Sequence, residues 1–270
     1  MTALRRTVDG ALGVARRDAS IFFSYRLRAG SQALLALFSV TLFYYVSRLV
    51  GTARFASADA YFAYVVVGLV ILHSLTATLA VVPNTIRTEL VAGTFERLAI
   101  SPLGPALGIC AMTMFPALAA ALTGALTLAF AVIIFGCPLA GPEALLAIPV
   151  GALALASFLP FALVVAALVL VSKQAGNLGS LVVIVLSLAG GVYYPPELMP
   201  GWIRWVSEVQ PFTPALELLR HLIIGSPMAG APWLAAARLA AFALLATPLA
   251  FLVLRSAVSL CRRRGTLVEY

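Results

Sequence analysis

A succession of apolar runs of about bilayer length constrains this chain more than any other feature. A hydrocarbon core about 30 Å thick takes about 20 residues of α-helix to cross. Six runs meet or approach that length, at residues 31–50, 61–82, 107–135, 144–171, 178–194 and 234–254. Backbone placed in lipid has to satisfy its own hydrogen bonds, so each run is expected to be helical. The third and fourth are long enough to tilt or protrude. Pro149 and Pro160 predict bends in the fourth. The fifth is short and meets Gly190-Gly191, where an irregular outer end is expected.

The rest of the composition agrees. The chain is 62% apolar and 10% charged, with a mean hydropathy of +1.04. A soluble domain carries about a quarter charged residues. No polar stretch between the runs is long enough to fold alone. The expectation is an all-α membrane protein, with a six-span domain over residues 31–270 preceded by a distinct segment at 1–30. The first run begins near Ala33, and the lead-in is too long for the charged region of a cleavable signal.

The net charge is +8. Basic residues that read nucleic acid cluster on a water-facing surface; here they flank apolar runs, and no nucleic-acid partner is expected. Thirteen of the 18 Lys and Arg fall on one side of the six-span arrangement and five on the other. The richer side is cytoplasmic by the positive-inside rule, which places both termini inside a plasma membrane. All the basic residues except Lys173 are Arg, a bias expected of a GC-rich bacterial genome.

Within residues 1–30, Leu4, Val8, Leu12, Ala15, Ala19 and Phe22 recur at helical spacing, while Arg5, Arg6, Asp9, Arg16 and Asp18 fall largely elsewhere on the wheel. The pattern predicts an interfacial helix on the inner leaflet. Arg87–Leu103 is a compact charged segment between the second and third runs, carrying Arg87, Glu89, Glu96 and Arg97. Ile86, Leu90 and Leu98 can share an apolar face, Gly93 permits close backbone approach, and Ser101-Pro102 stops a helix. Periodicity leaves two readings, a short amphipathic cytoplasmic helix or a charged loop. Gly190–Ile223 is too polar to cross a bilayer and too apolar for a free loop. Five prolines cut it into short pieces that fit external re-entrant or interfacial helices, with Trp202 and Trp205 at headgroup depth.

Taken together these motifs resemble one family. The sequence "GGVYYPPELMPGWIRW", then "QPFTPALELLR", then a last single span is similar to the C-terminal part of type 2 ABC exporter permeases. The loop between the second and third spans fits that family's E-x-x-x-G-T-x-E-x-L-x-x-S-P pattern through Glu89, Gly93, Thr94, Glu96, Leu98, Ser101 and Pro102. The resemblance covers essentially the whole chain. It implies that the charged segment is a coupling helix, with Glu89, Gly93, Thr94, Glu96 and Arg97 at the contact with a separate nucleotide-binding ATPase. It also implies a second permease half, identical or paralogous, and a drug, lipid, glycolipid or polysaccharide as cargo. Two other classes stay open from the residues alone: a six-span membrane enzyme acting on lipid, and a non-transporting scaffold or immunity protein.

No catalytic set emerges. A P-loop needs G-x-x-x-x-G-K-[ST], and Lys173 in "VSKQAGNL" does not supply it. Any ATP and magnesium are therefore expected on the partner, with no cofactor on this chain. H-E-x-x-H and C-x-x-C are absent, and Cys110, Cys137 and Cys261 read as small buried hydrophobes. His73 lies mid-span beside Ser74, Thr76 and Thr78, where an ionisable residue faces a bundle interior or a cavity. A neutral histidine bonded to a neighbouring helix is the alternative. Aromatic residues gather toward the outer ends of runs one, two and five, as a headgroup belt or a cargo platform. Phe38, Tyr45, His73, Thr76 and Tyr193 are the candidates for a translocation route.

Overall fold

The computed structural model describes residues 3–24, 26–49, 55–91, 93, 104–172, 178–228 and 230–264. Among them there are helices and turns and no strands. In chain order the helices are α1 (Ala3–Ser24), α2 (Arg26–Leu49), α3 (Ala58–Thr76), α4 (Val82–Val91), α5 (Gly104–Met112), α6 (Met114–Phe135), α7 (Ala147–Ser172), α8 (Leu178–Ala189), α9 (Gly201–Val209), α10 (Phe212–Ile224) and α11 (Pro232–Arg263).

Four continuous stretches are long and apolar enough to cross a membrane: Ala58–Val91, Leu107–Phe135, Pro142–Ser172 and Pro232–Arg263. Two further apolar helices are shorter, Ala33–Leu49 and Leu178–Ala189. The first stretch has 34 residues and the last 32, or about 50 Å of helix each. Both outrun the runs read from the sequence, because the helix continues through polar residues at their ends. Pro149, expected to bend its run, falls in the first turn of α7, where a missing N–H is harmless. Pro160 alone lies inside that helix.

The first long stretch shows how one proline shapes the packing. Pro83 has no N–H to offer the carbonyl of Leu79, four residues back. The chain widens there into a π turn over Ala77–Val81, joining α3 to α4. The Leu79 carbonyl sits directly against Gly179 of α8, where any Cβ would collide with it. Glycine at that position brings two helix backbones together, a contact on which helix association in lipid relies.

Helix α3 is central. Phe62–Leu69 is buried at every position, so the helix is apolar all round rather than amphipathic. One core cluster joins Val67, Ile71, Leu75 and Leu79 to Phe158 of α7, Leu186 of α8, Leu216 and Leu219 of α10, and Leu239 of α11. A second, at the opposite end, joins Val82 and Ile86 of α4 to Ile109, Leu163, Leu170, Leu254 and Val258.

Helix α1 is amphipathic as expected, but its inward register differs. Val14 packs against the second cluster and Phe22 meets Phe115 edge-on at 5.3 Å, while Leu12 is exposed. Asp18, expected on the polar side, lies between Val14 and Phe22 on the same face, and burial raises its pKa above the usual carboxylate range. Arg17 accounts for the turn of the helix: it bonds Asp18 at 2.9 Å and reaches Glu89 of α4 at 3.1 Å.

Candidate functional site

The charged end of α4 is the first part of the site. Glu89 is mostly buried beneath Arg17, so α1 is tied to the end of the 34-residue helical stretch. Gly93 follows with φ +67°, a left-handed conformation that glycine adopts without strain, and its N–H bonds the Leu90 carbonyl as a helix stop. Among the described residues a Cβ there would meet nothing within 4 Å. Thr94, Glu96, Arg97, Ser101 and Pro102 lie outside the described residues.

At the other end of α3 the aromatic residues pack on one another. Tyr44 stacks on Phe135 at 4.3 Å and meets Phe62 edge-on at 5.4 Å. Phe43 stacks on Tyr193 at 5.4 Å. The Tyr61 hydroxyl donates to the Tyr193 carbonyl at 3.3 Å, and that of Tyr64 to the Gly191 carbonyl at 3.1 Å. These rings join α2, α3, α6 and the turn after α8 into one seam.

The five route candidates do not converge. Phe38 and Tyr45 point outward from α2, 63% exposed each, in a stripe with Leu34, Leu42 and Leu49. Tyr193 belongs to the aromatic seam. The Thr76 hydroxyl is taken by the Leu72 carbonyl of its own helix at 2.8 Å. His73 has a buried Nδ1 without a hydrogen-bond partner among the described residues. The inter-helix hydrogen bond weighed from the sequence is therefore absent at that atom. An unmet buried polar atom costs about 1–3 kcal/mol, so His73→Leu should leave the melting temperature unchanged or raised. If His73 lines the route, the same substitution lowers transport. Full transport by His73→Leu would remove it from the route.

Arg220 is the residue that sequence reasoning missed; it is one of the five Lys and Arg counted on the poorer side. It is 3% exposed. Its Nε donates to the Tyr64 carbonyl at 3.1 Å, and one terminal nitrogen donates to the carbonyls of Gly191 and Val192 at 3.0 and 2.9 Å. The guanidinium carbon lies 3.3 Å from the Tyr64 ring centroid. Burial lowers its pKa to about 10, still far above physiological pH, so it remains a cation. The reason lies at Gly190-Gly191. Helix α8 stops at Ala189, Gly191 takes φ +78°, and the carbonyls beyond have no helical donors. Arg220 supplies them from α10, and Gly68 of α3 makes room: a Cβ there would sit 2.5 Å from the Val192 oxygen and 3.1 Å from Arg220. A lone arginine inside the apolar "LELLRHLII" was the available signal.

A bundle of long apolar helices with a charged end on the first of them and a buried polar clamp near the opposite end defines a polytopic helical membrane protein. The family model for the ABC-2 type transporter matches residues 16–224, well over half of the chain. The chain belongs to that family, whose members are the membrane components of ABC transporters and work with an ATPase subunit. No curated protein matches the chain.

Proposed function

We propose that this chain is the six-span permease half of an ATP-driven exporter, with both termini in the cytoplasm and a separate ATPase docked at Glu89–Pro102. The observation that carries the reading is the continuous helical stretch Ala58–Val91, gripped by Arg17 at its charged end and by Arg220 at its other end. A push on the segment after Gly93 acts on a rod about 50 Å long. That rod reaches the turn beneath the external helices α9 and α10. Glu89 holds α1 in place, so α1 and the docking segment move as one body. Glu96 and Arg97 then meet the ATPase.

In this reading α2 and α8 are the two remaining spans. Each is lengthened by flanking residues or by local thinning of the bilayer, the usual accommodation of a short span. The outward stripe of Phe38 and Tyr45 faces the second permease half. The cargo is an amphipathic drug, lipid, glycolipid or polysaccharide, moved outward through a bacterial plasma membrane.

Single cysteines at Ser57, Ser101 and Ser226 test the orientation, in a background lacking Cys110, Cys137 and Cys261. An impermeant thiol reagent applied outside intact cells should label the first and third and spare the second. Labelling of Ser101→Cys from outside would place the charged segment on the wrong face for an ATPase, and the reading would fail.

A further inference from the structure

Asp18 of α1 and Glu89 of α4 are carboxylates on two helices that meet at one cation. A terminal nitrogen of Arg17 lies 2.9 Å from Asp18 Oδ1 and 3.1 Å from Glu89 Oε1. The Arg17 Nε also donates to Asp18 Oδ1, at 3.0 Å. Side-chain exposure is 14% at Asp18 and 15% at Glu89, against 41% at Arg17. Both carboxylates are thus turned inward, beneath a guanidinium that reaches the surface. A charge at that depth has to be paired, and Asp18 fixes the geometry in which Arg17 reaches Glu89.

The last turn of α4 sorts its residues into two sides. Leu90 packs with Ile86 in the core cluster that also holds Ile109 and Met112 of α5. Arg87, Thr88 and Val91 are exposed. Glu89 goes with the inward side, away from the surface a docked subunit would cover. On α1, Val14, Asp18 and Phe22 follow at four-residue spacing along one face. Val14 packs on the same core cluster, and Phe22 meets Phe115 of α6. Helix α1 therefore joins α4, which precedes residues 92–103, to α6, which comes after them.

We propose that Glu89 is a positioning residue rather than a contact of the ATPase: through Arg17, itself oriented by Asp18, it fastens α1 to α4 and so sets where α1 stands beside the docking segment. The family pattern places Glu89 at the ATPase contact, and the proposal moves it one layer inward. Its bearing on docking rests on the permease reading above; the tie between α1 and α4 does not.

Two measurements test it on the full chain, in the background lacking Cys110, Cys137 and Cys261. In the first, nitroxides are attached at Ser20→Cys on α1 and Thr88→Cys on α4, both exposed positions, and their dipolar broadening is read in detergent without ATPase. Arg17→Gln and Glu89→Gln should each weaken the broadening. Arg16→Gln, exposed on the neighbouring position of α1, should leave it unchanged. Should Arg17→Gln fail to fold, Asp18→Asn takes its place, because it releases Arg17 without leaving a carboxylate unmet. Unchanged broadening in these variants overturns the proposal. In the second, the ATPase that co-purifies with the wild-type chain is titrated onto each variant. Each single variant should lose about fivefold in association, the scale of a partly exposed ion pair, with the melting temperature unchanged. The double variant Arg17→Gln/Glu89→Gln should lose no more than either alone. The exchange Arg17→Glu/Glu89→Arg should recover part of the loss, since one arginine again lies between two carboxylates. If Glu89→Gln costs as much without Arg17 as with it, Glu89 touches the ATPase directly and the proposal falls. Loss of ATPase by Glu96→Arg, with none by Arg17→Gln or Glu89→Gln, sinks this proposal and leaves the permease reading standing. Association untouched by all three sinks both.

Discussion

Arg220→Leu should destabilise the protein more than any other single substitution considered. Leucine removes three hydrogen bonds from a charged donor and the cation held over the Tyr64 ring. It also strands the carbonyl of Val192 in a site with little access to water, and leaves that of Gly191 only the Tyr64 hydroxyl. Breaking a buried charged arrangement on one side costs about 3–5 kcal/mol, a large share of a total stability of roughly 5–15 kcal/mol. The expected results are low yield, early aggregation and a melting temperature several degrees below wild type in detergent. Arg220→Lys should rescue little, because an ammonium is a point charge and cannot present a planar fork to α3 and the turn together. A melting temperature for Arg220→Leu within about 2 °C of wild type would show that the clamp contributes little, since even 1 kcal/mol moves the midpoint of a domain this large by that much.

Glu96→Arg should uncouple the complex without unfolding it. The substitution reverses a charge at the proposed ATPase interface, while the apolar seat of α4, through Ile86, is untouched. Disrupting a desolvated interfacial charge pair costs about 2–5 kcal/mol, at least about thirtyfold in association. The variant should insert, melt like wild type, and lose co-purifying ATPase or hydrolyse ATP without moving cargo. Gly93 refines the test. Its φ of +67° strains most side chains, whereas asparagine tolerates that region. Gly93→Asn should therefore keep the turn and obstruct docking only modestly, and Gly93→Leu should abolish it. Glu143→Arg is the control, exposed at the start of the short helical turn before α7 and on the external side in this topology. Full association and transport by both Glu96→Arg and Gly93→Leu would leave Arg87–Leu103 as an ordinary charged loop.

The two predictions bear on opposite ends of one helical stretch, which gives a means of telling structural from coupling failure. Arg220→Leu acts on stability first and on transport through it. Glu96→Arg acts on transport at unchanged stability. A double variant that adds no further transport loss to Glu96→Arg, while melting like Arg220→Leu, would separate the two effects.

The sequence by itself determined the class and family of this protein. Apolar length, sparse charge and the spacing of Glu89, Gly93, Glu96 and Pro102 are local properties, and lipid leaves a long apolar run few alternatives to a helix. Local signals also reached the turn at Gly190-Gly191 and the amphipathic character of α1. Tertiary structure alone decided the partners. Asp18 faces inward because Arg17 turns toward Glu89, a residue more than seventy positions away. The aromatic residues read as a belt or a platform became a seam because α2, α3 and α6 bring these rings together. Arg220 looked like one more charge on the outer side, and its role required knowing where the carbonyls of Gly191 and Val192 would lie. Periodicity reports which face of a helix is apolar; which buried polar atoms meet across helices depends on packing between residues distant in the chain, and no local window contains that information.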